Sequence, residues 1–129
     1  MMKILVIEDD MAMITLYRQW LKNTNVEIDY CDNSYKASEM IMKGSIDFYD
    51  LLIADLKLEG SKGGDTVVSL LAEMELGKKK KTPILILSGH IDSEVKNQFL
   101  KRKNVHFLEK QFLNSNTFRN GILDIIGSN

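Results

Sequence analysis

Five short apolar runs, each followed by a stretch of helical periodicity, limit what this chain can become. The runs are Ile4–Ile7, Val26–Cys31, Leu51–Ala54, Pro83–Leu87 and Val105–Leu108. Val26–Cys31 alternates apolar and polar, while the others are nearly continuous and read as buried strands. Between them the period changes to that of a helix. Ile14, Leu16, Tyr17, Trp20 and Leu21 mark a first helix over Met11–Asn23, with Asp10 as its cap. Ser34 opens a second helix through Lys43, and Gly44 stops it. Asp65 opens a third that Gly77 ends, Asp92 or Ser93 a fourth through about Lys101, and Ser115 a fifth to about Ile126 despite Gly121. Strands alternating with helices predict an α/β fold, a parallel sheet doubly wound with helices on both faces. Right-handed crossovers then place all five strand ends on one edge.

Composition narrows the function classes. A chain of 129 residues with 44% hydrophobic and 27% charged residues is one ordinary globular domain, 1–129. The net charge of −1 argues neither for nor against nucleic acid, and with no DNA-binding domain in the pattern direct nucleic-acid binding is not expected. A single cysteine, Cys31, excludes an internal disulfide and fits a reducing compartment. No apolar stretch approaches the ~20 residues of a membrane span. Met1-Met2-Lys3 runs straight into a strand, with no signal-peptide pattern. These features predict a cytoplasmic protein without a membrane partner and without an output domain.

The strand ends carry the chemistry. Glu8, Asp9 and Asp10 follow the first run, Asp55 the third, Ser88 the fourth and Lys110 the fifth. Gathered carboxylates repel and call for a cation. Oxygen ligands favour Mg2+, which keeps several waters and uses one or two carboxylates. Lys110 adds a positive charge and Ser88 a hydroxyl. That inventory suits phosphoryl transfer onto a carboxylate nucleophile.

Ile4–Asp10, Leu51–Asp55, Leu87-Ser88-Gly89 and Phe107–Phe112 resemble, in order and spacing, the four signature regions of the bacterial response-regulator receiver domain. The resemblance implies a flavodoxin-like (βα)5 fold with sheet order 2-1-3-4-5. It implies a phosphorylation switch of two-component signalling rather than an enzyme. Asp55 would be the phosphoacceptor, served by a sensor histidine kinase or phosphotransfer protein. Glu8, Asp9, Asp55 and the backbone carbonyl of Lys57 would hold Mg2+. Ser88 and Lys110 would contact the phosphoryl group, Gly89 would leave room beside Ser88, and Phe107 would be the aromatic switch. A downstream target would dock on the face of the fourth helix, fifth strand and fifth helix, and phosphorylation could also drive a homodimer. The chain departs from the family pattern in four places. Gln111 stands where a proline with a cis bond usually follows the lysine; a cis bond there would cost about 3–4 kcal/mol. Glu59 replaces a common proline in the loop after Asp55. Phe107 lacks the hydroxyl of the frequent tyrosine. Lys78–Lys81 extends the approach to the fourth strand.

Plainer roles compete. Glu8, Asp9 and Asp10 can serve a helix N-terminus, and Asp55 or Ser88 can be turn residues. His90 and His106 stand alone, and Met40 and Met42 read as core filler. Lys78–Lys81 and Lys101–Lys103 belong to the edge opposite the acidic one, as solubilising caps or as a dock for an acidic partner or nucleic acid. Two alternative functions stay open: a phosphate-independent interaction module, and a small phosphohydrolase using an aspartyl nucleophile. Lys57 speaks against the second, which needs an acid at that position.

Overall fold

Five parallel strands form one sheet: β1 (Met2–Ile7), β2 (Val26–Cys31), β3 (Leu51–Asp55), β4 (Ile84–Ser88) and β5 (Val105–Glu109). Their order is β2-β1-β3-β4-β5, as the family resemblance implies. The structure is a computed structural model describing residues 2–32, 34–55, 82–89 and 104–127, with Ser34, Ser38, Ile41, Ile46 and Ser88 described by backbone alone. The expected third and fourth helices, the loop after Asp55 and both lysine-rich segments lie outside the described residues.

Register fixes the edge where function is expected. Ile7 pairs with Ala54, so one further step sets Glu8 beside Asp55. Asp55 pairs with Leu87, and Ser88 with Glu109, the residue before Lys110. The Glu8 N–H continues the ladder by donating to the Cys31 carbonyl at 2.9 Å. Four strands thus end within a residue or two of one another.

Side chains alternate across a strand, so each strand feeds two cores. On one face Ile4, Val6, Leu51, Ile53, Leu85 and Leu87 are buried. Helix α1 (Met11–Trp20) covers them with Ile14 and Tyr17, and the C-terminal helix (Ser115–Gly127) with Phe118, Ile122 and Ile125. Tyr17 and Phe118 stack at 4.7 Å between ring centroids, and Trp20 packs at 5.5 Å from Phe118. On the other face Leu5, Ile7, Leu52, Ala54, Ile84 and Ile86 are buried. Helix α2 (Ser34–Met42) covers that side with Ala37 and Met40.

The helix ends follow local chemistry. Asp10 caps α1, accepting from the Ala12 N–H at 2.9 Å. Gly44 follows α2 at φ +77°, a left-handed conformation that glycine adopts without strain. Three readings need correction. Helix α1 ends at Trp20, not Asn23, because Asn23 itself is left-handed, at φ 68°. The C-terminal helix is capped by Asn114, not Ser115. Asn114 Oδ1 accepts from the Thr117 N–H and Thr117 Oγ1 from the Asn114 N–H, both at 2.9 Å. This reciprocal pair leaves Ser115 as the first helical residue. Met42 is 71% exposed, because two residues along a helix turn from one face to the other; only Met40 packs on the core.

Two measurements check these packing claims. Asn114→Ala should destabilise the fold by ~1 kcal/mol, with Ser115→Ala within ~0.5 kcal/mol of wild type, in urea unfolding. Tyr49 donates to Asp29 Oδ2 at 2.8 Å, and burial, then that hydrogen bond, pushes its pKa up to about 12. The folded chain therefore holds this proton more tightly than the unfolded chain, whose tyrosine titrates near 10. Stability should fall as pH rises from about 10 to about 12. Tyr49→Phe should flatten that fall in urea midpoints measured across the range.

Candidate functional site

The end of β3 presents Asp55 with its side chain only 3% exposed. Its Oδ2 accepts from Lys110 Nζ at 2.6 Å, across 55 residues of sequence. Its Oδ1 is buried and has no hydrogen-bond partner among the described residues. The carboxylate is thus held at one oxygen by Lys110, while the other is buried without a partner among the described residues. Lys110 is 26% exposed and reaches inward over the rim. Charge-assisted contacts of this length rank among the stronger hydrogen bonds.

Lys110 owes its place to the turn it begins. Lys110–Phe112 forms a short 3-10 helix, closed by the Leu113 N–H donating to the Lys110 carbonyl at 3.0 Å. Gln111 follows in a trans peptide, and its side-chain amide donates to Glu109. The expected proline is therefore unnecessary for this lysine to meet Asp55.

Glu8 is 3% exposed, and its Oε1 accepts from the Asp10 N–H at 3.1 Å. By strand alternation Glu8 continues the row of Ile4 and Val6, and Asp55 that of Leu51 and Ile53. Both carboxylates therefore lie on the α1 side of the sheet. Asp9 is exposed, in the turn between β1 and α1. Ser88 ends β4, so its backbone belongs to the same rim. Gly89 is exposed, and a Cβ there would meet nothing within 4 Å. Phe107 is half-buried against the opposite core, with Met40 and Tyr49. Lys57 and His90 lie outside the described residues; His106 sits within β5, away from the acidic end.

The donor set suits a hard cation. An unpartnered buried carboxylate oxygen on Asp55, with Glu8 and Asp9 at the same edge, offers oxygen ligands of the kind Mg2+ takes. Among the described residues, no group of three or more His, Cys, Asp or Glu could hold a metal ion. A bound ion would therefore keep much of its water shell, as Mg2+ ordinarily does.

One residue of this neighbourhood escapes a periodicity reading. Tyr17 is fully buried, and its hydroxyl has no hydrogen-bond partner among the described residues. Burial first, then the negative charges of Glu8, Asp55 and Asp10, hold that hydroxyl well above the ordinary phenol range. The only sequence signal is a phenol in the otherwise aliphatic stripe of Ile14 and Leu21, seven residues after Asp10. Removing the cation that faces Asp55 should leave a nearly buried charge uncompensated. Lys110→Met should cost about 2–3 kcal/mol in urea unfolding, below the full range for buried pairs because Lys110 is partly solvated.

No helix among the described residues is long and apolar enough to cross a membrane. Comparison with known proteins agrees with the fold. The response regulator receiver domain family matches residues 4–121. The transcriptional regulatory protein ResD of Bacillus subtilis (strain 168) is 33% identical over 87 residues, which is 67% of this chain and 32% of ResD. The chain thus spans about a third of the length of that curated relative. Two solved structures share the fold. A CheY-like response regulator receiver domain protein of Methanospirillum hungatei JF-1 superposes with a TM-score of 0.77 at 18% identity, covering 99% of this chain and 95% of that one. A response regulator receiver domain protein of Clostridium thermocellum gives 0.75 at 20% identity, covering 99% and 96%. With most of its length matched, this chain belongs to the response regulator receiver domain family.

Proposed function

We propose that this chain accepts a phosphoryl group on Asp55 from a sensor histidine kinase or phosphotransfer protein, and that the added charge switches its partner binding. The observation that carries the reading is the divided carboxylate of Asp55: Oδ2 held at 2.6 Å by Lys110, Oδ1 buried without a partner. Fixing one oxygen orients the carboxylate, and no partner among the described residues competes for the lone pairs of the other. Oδ1 would form the new P–O bond as the P–N bond to a phosphohistidine breaks, the electron pair leaving with the imidazole, which takes up a proton. Lys110 would then turn from Oδ2 to the transferred group, whose charge exceeds that of the carboxylate it replaces.

Glu8, Asp9, Asp55 and the backbone carbonyl of Lys57 are the residues that would hold Mg2+. When bound, the ion supplies positive charge for the phosphoryl oxygens. The Ser88 hydroxyl would bind one of those oxygens, and the exposed Gly89 would give its segment space. Phe107, without a hydroxyl, would respond by repacking alone against the core of the α2 side. The output face would be the fourth helix, fifth strand and fifth helix, for a downstream target or a second phosphorylated copy. In this reading residues 1–129 act as a single switching domain in the cytoplasm, not as an enzyme with an external product, and without membrane or direct nucleic-acid contact.

The test is covalent labelling. Wild type incubated with acetyl phosphate and Mg2+ should gain one phosphoryl group by intact mass. Asp55→Asn and EDTA-treated samples should gain none. Labelling that survives Asp55→Asn would refute the acceptor assignment and return weight to a phosphate-independent module.

A further inference from the structure

We propose that Tyr17 is a positioning residue of the acidic pocket, its hydroxyl linked to Asp55 Oδ1 through one buried water. The two groups share a face of the sheet. Asp55 extends the row of Leu51 and Ile53, and those residues form one core with Tyr17, Phe118 and Ile14. Helix α1 starts at the acidic edge, immediately after its cap Asp10. Long helical side chains lean toward their own N-terminus, so the phenol of Tyr17 leans toward that edge. Stacking on Phe118, at 4.7 Å and 9° between ring planes, restrains the ring.

Both end groups are buried and unsatisfied among the described residues. An unpartnered buried hydroxyl costs about 1–3 kcal/mol and calls for an explanation. No direct hydrogen bond joins them, and a single bridging molecule would satisfy both. Water suits the chemistry: the phenol donates to it, and it donates to the carboxylate. The sensitivity of the Tyr17 hydroxyl to the charges of Glu8 and Asp55 agrees with this placement. A plain core role predicts the reverse energetics, because removing a hydroxyl that bonds nothing stabilises a core.

The geometry is independent of phosphorylation; only its consequence for ion binding rests on the reading of Asp55 given above. The test is a double-mutant cycle in EDTA, with urea midpoints for wild type, Tyr17→Phe, Asp55→Ala and the double variant. Phenylalanine keeps the stack on Phe118, so each variant retains the core. Tyr17→Phe should lower the midpoint when Asp55 is present and leave it level, or raise it, when Asp55 is alanine. Equal shifts in the two backgrounds overturn the link. As a second measurement, Mg2+ alone is titrated by the fluorescence of Trp20, whose ring centroid is 5.9 Å from that of Tyr17. Tyr17→Phe should weaken Mg2+ binding by about tenfold, the scale for groups that orient metal ligands. An unchanged constant contradicts the positioning role. A wild-type chain that does not bind Mg2+ would count against the receiver-site reading, while the cycle still decides the link to Asp55.

Discussion

The contact between Lys110 and Asp55 is the constraint on which the rest of this structure depends. A carboxylate with 3% exposure loses most of its hydration, a penalty of several kcal/mol that an opposite charge must offset. Neither partner can supply this locally, because the two come from different strands. The sheet supplies it. Parallel pairing in register brings the ends of β1, β3, β4 and β5 to one line, and the 3-10 turn after β5 directs the lysine inward. The fold and the ion pair are therefore one design: a one-residue slip of β5 would carry Lys110 off its target and turn Leu108 to the wrong core.

Strand alternation also divides the site between the two sides of the sheet. Glu8 and Asp55 belong to the α1 side, above Tyr17 and Phe118. Phe107 belongs to the α2 side. A change at Asp55 that is to reach Phe107 must cross from one core to the other. The short way across is the end of β4, where Ser88 adjoins both the rim and β5. The backbone of β4's last residue thus lies between the acidic rim and the strand that carries Phe107.

Much of this was legible in the sequence. Buried strands announced themselves as apolar runs, and the polar residue ending each run marked the edge. Sheet order came from family resemblance and not from periodicity, because hydrophobic patterns carry no information on which strands pair. Asp10 and Gly44 were readable as helix signals because their chemistry is local. Asn114 was missed because Asn, Ser and Asn occur in succession and each can cap a helix; only the reciprocal bond with Thr117 selects among them. The trans Lys110–Gln111 peptide was undecidable from residue types alone, since it depends on the turn that Leu113 closes. Tyr17 was hidden most fully. Its ring satisfies the helical stripe, and a phenol seven residues after Asp10 is too weak a signal to show that its hydroxyl is buried without a partner among the described residues.

The central claim is that Asp55, with one oxygen held by Lys110, is the group that takes a phosphoryl ligand at this rim. The most direct measurement is a crystal structure of the chain with Mg2+ and beryllofluoride, which stands in for a phosphoryl group. The expected result is beryllium bonded to an oxygen of Asp55, Mg2+ among Glu8, Asp9 and Asp55, and Lys110 Nζ moved from Oδ2 to a fluorine. Beryllofluoride bonded elsewhere, or Lys110 still on Oδ2 with the rim unligated at saturating concentrations, would contradict it.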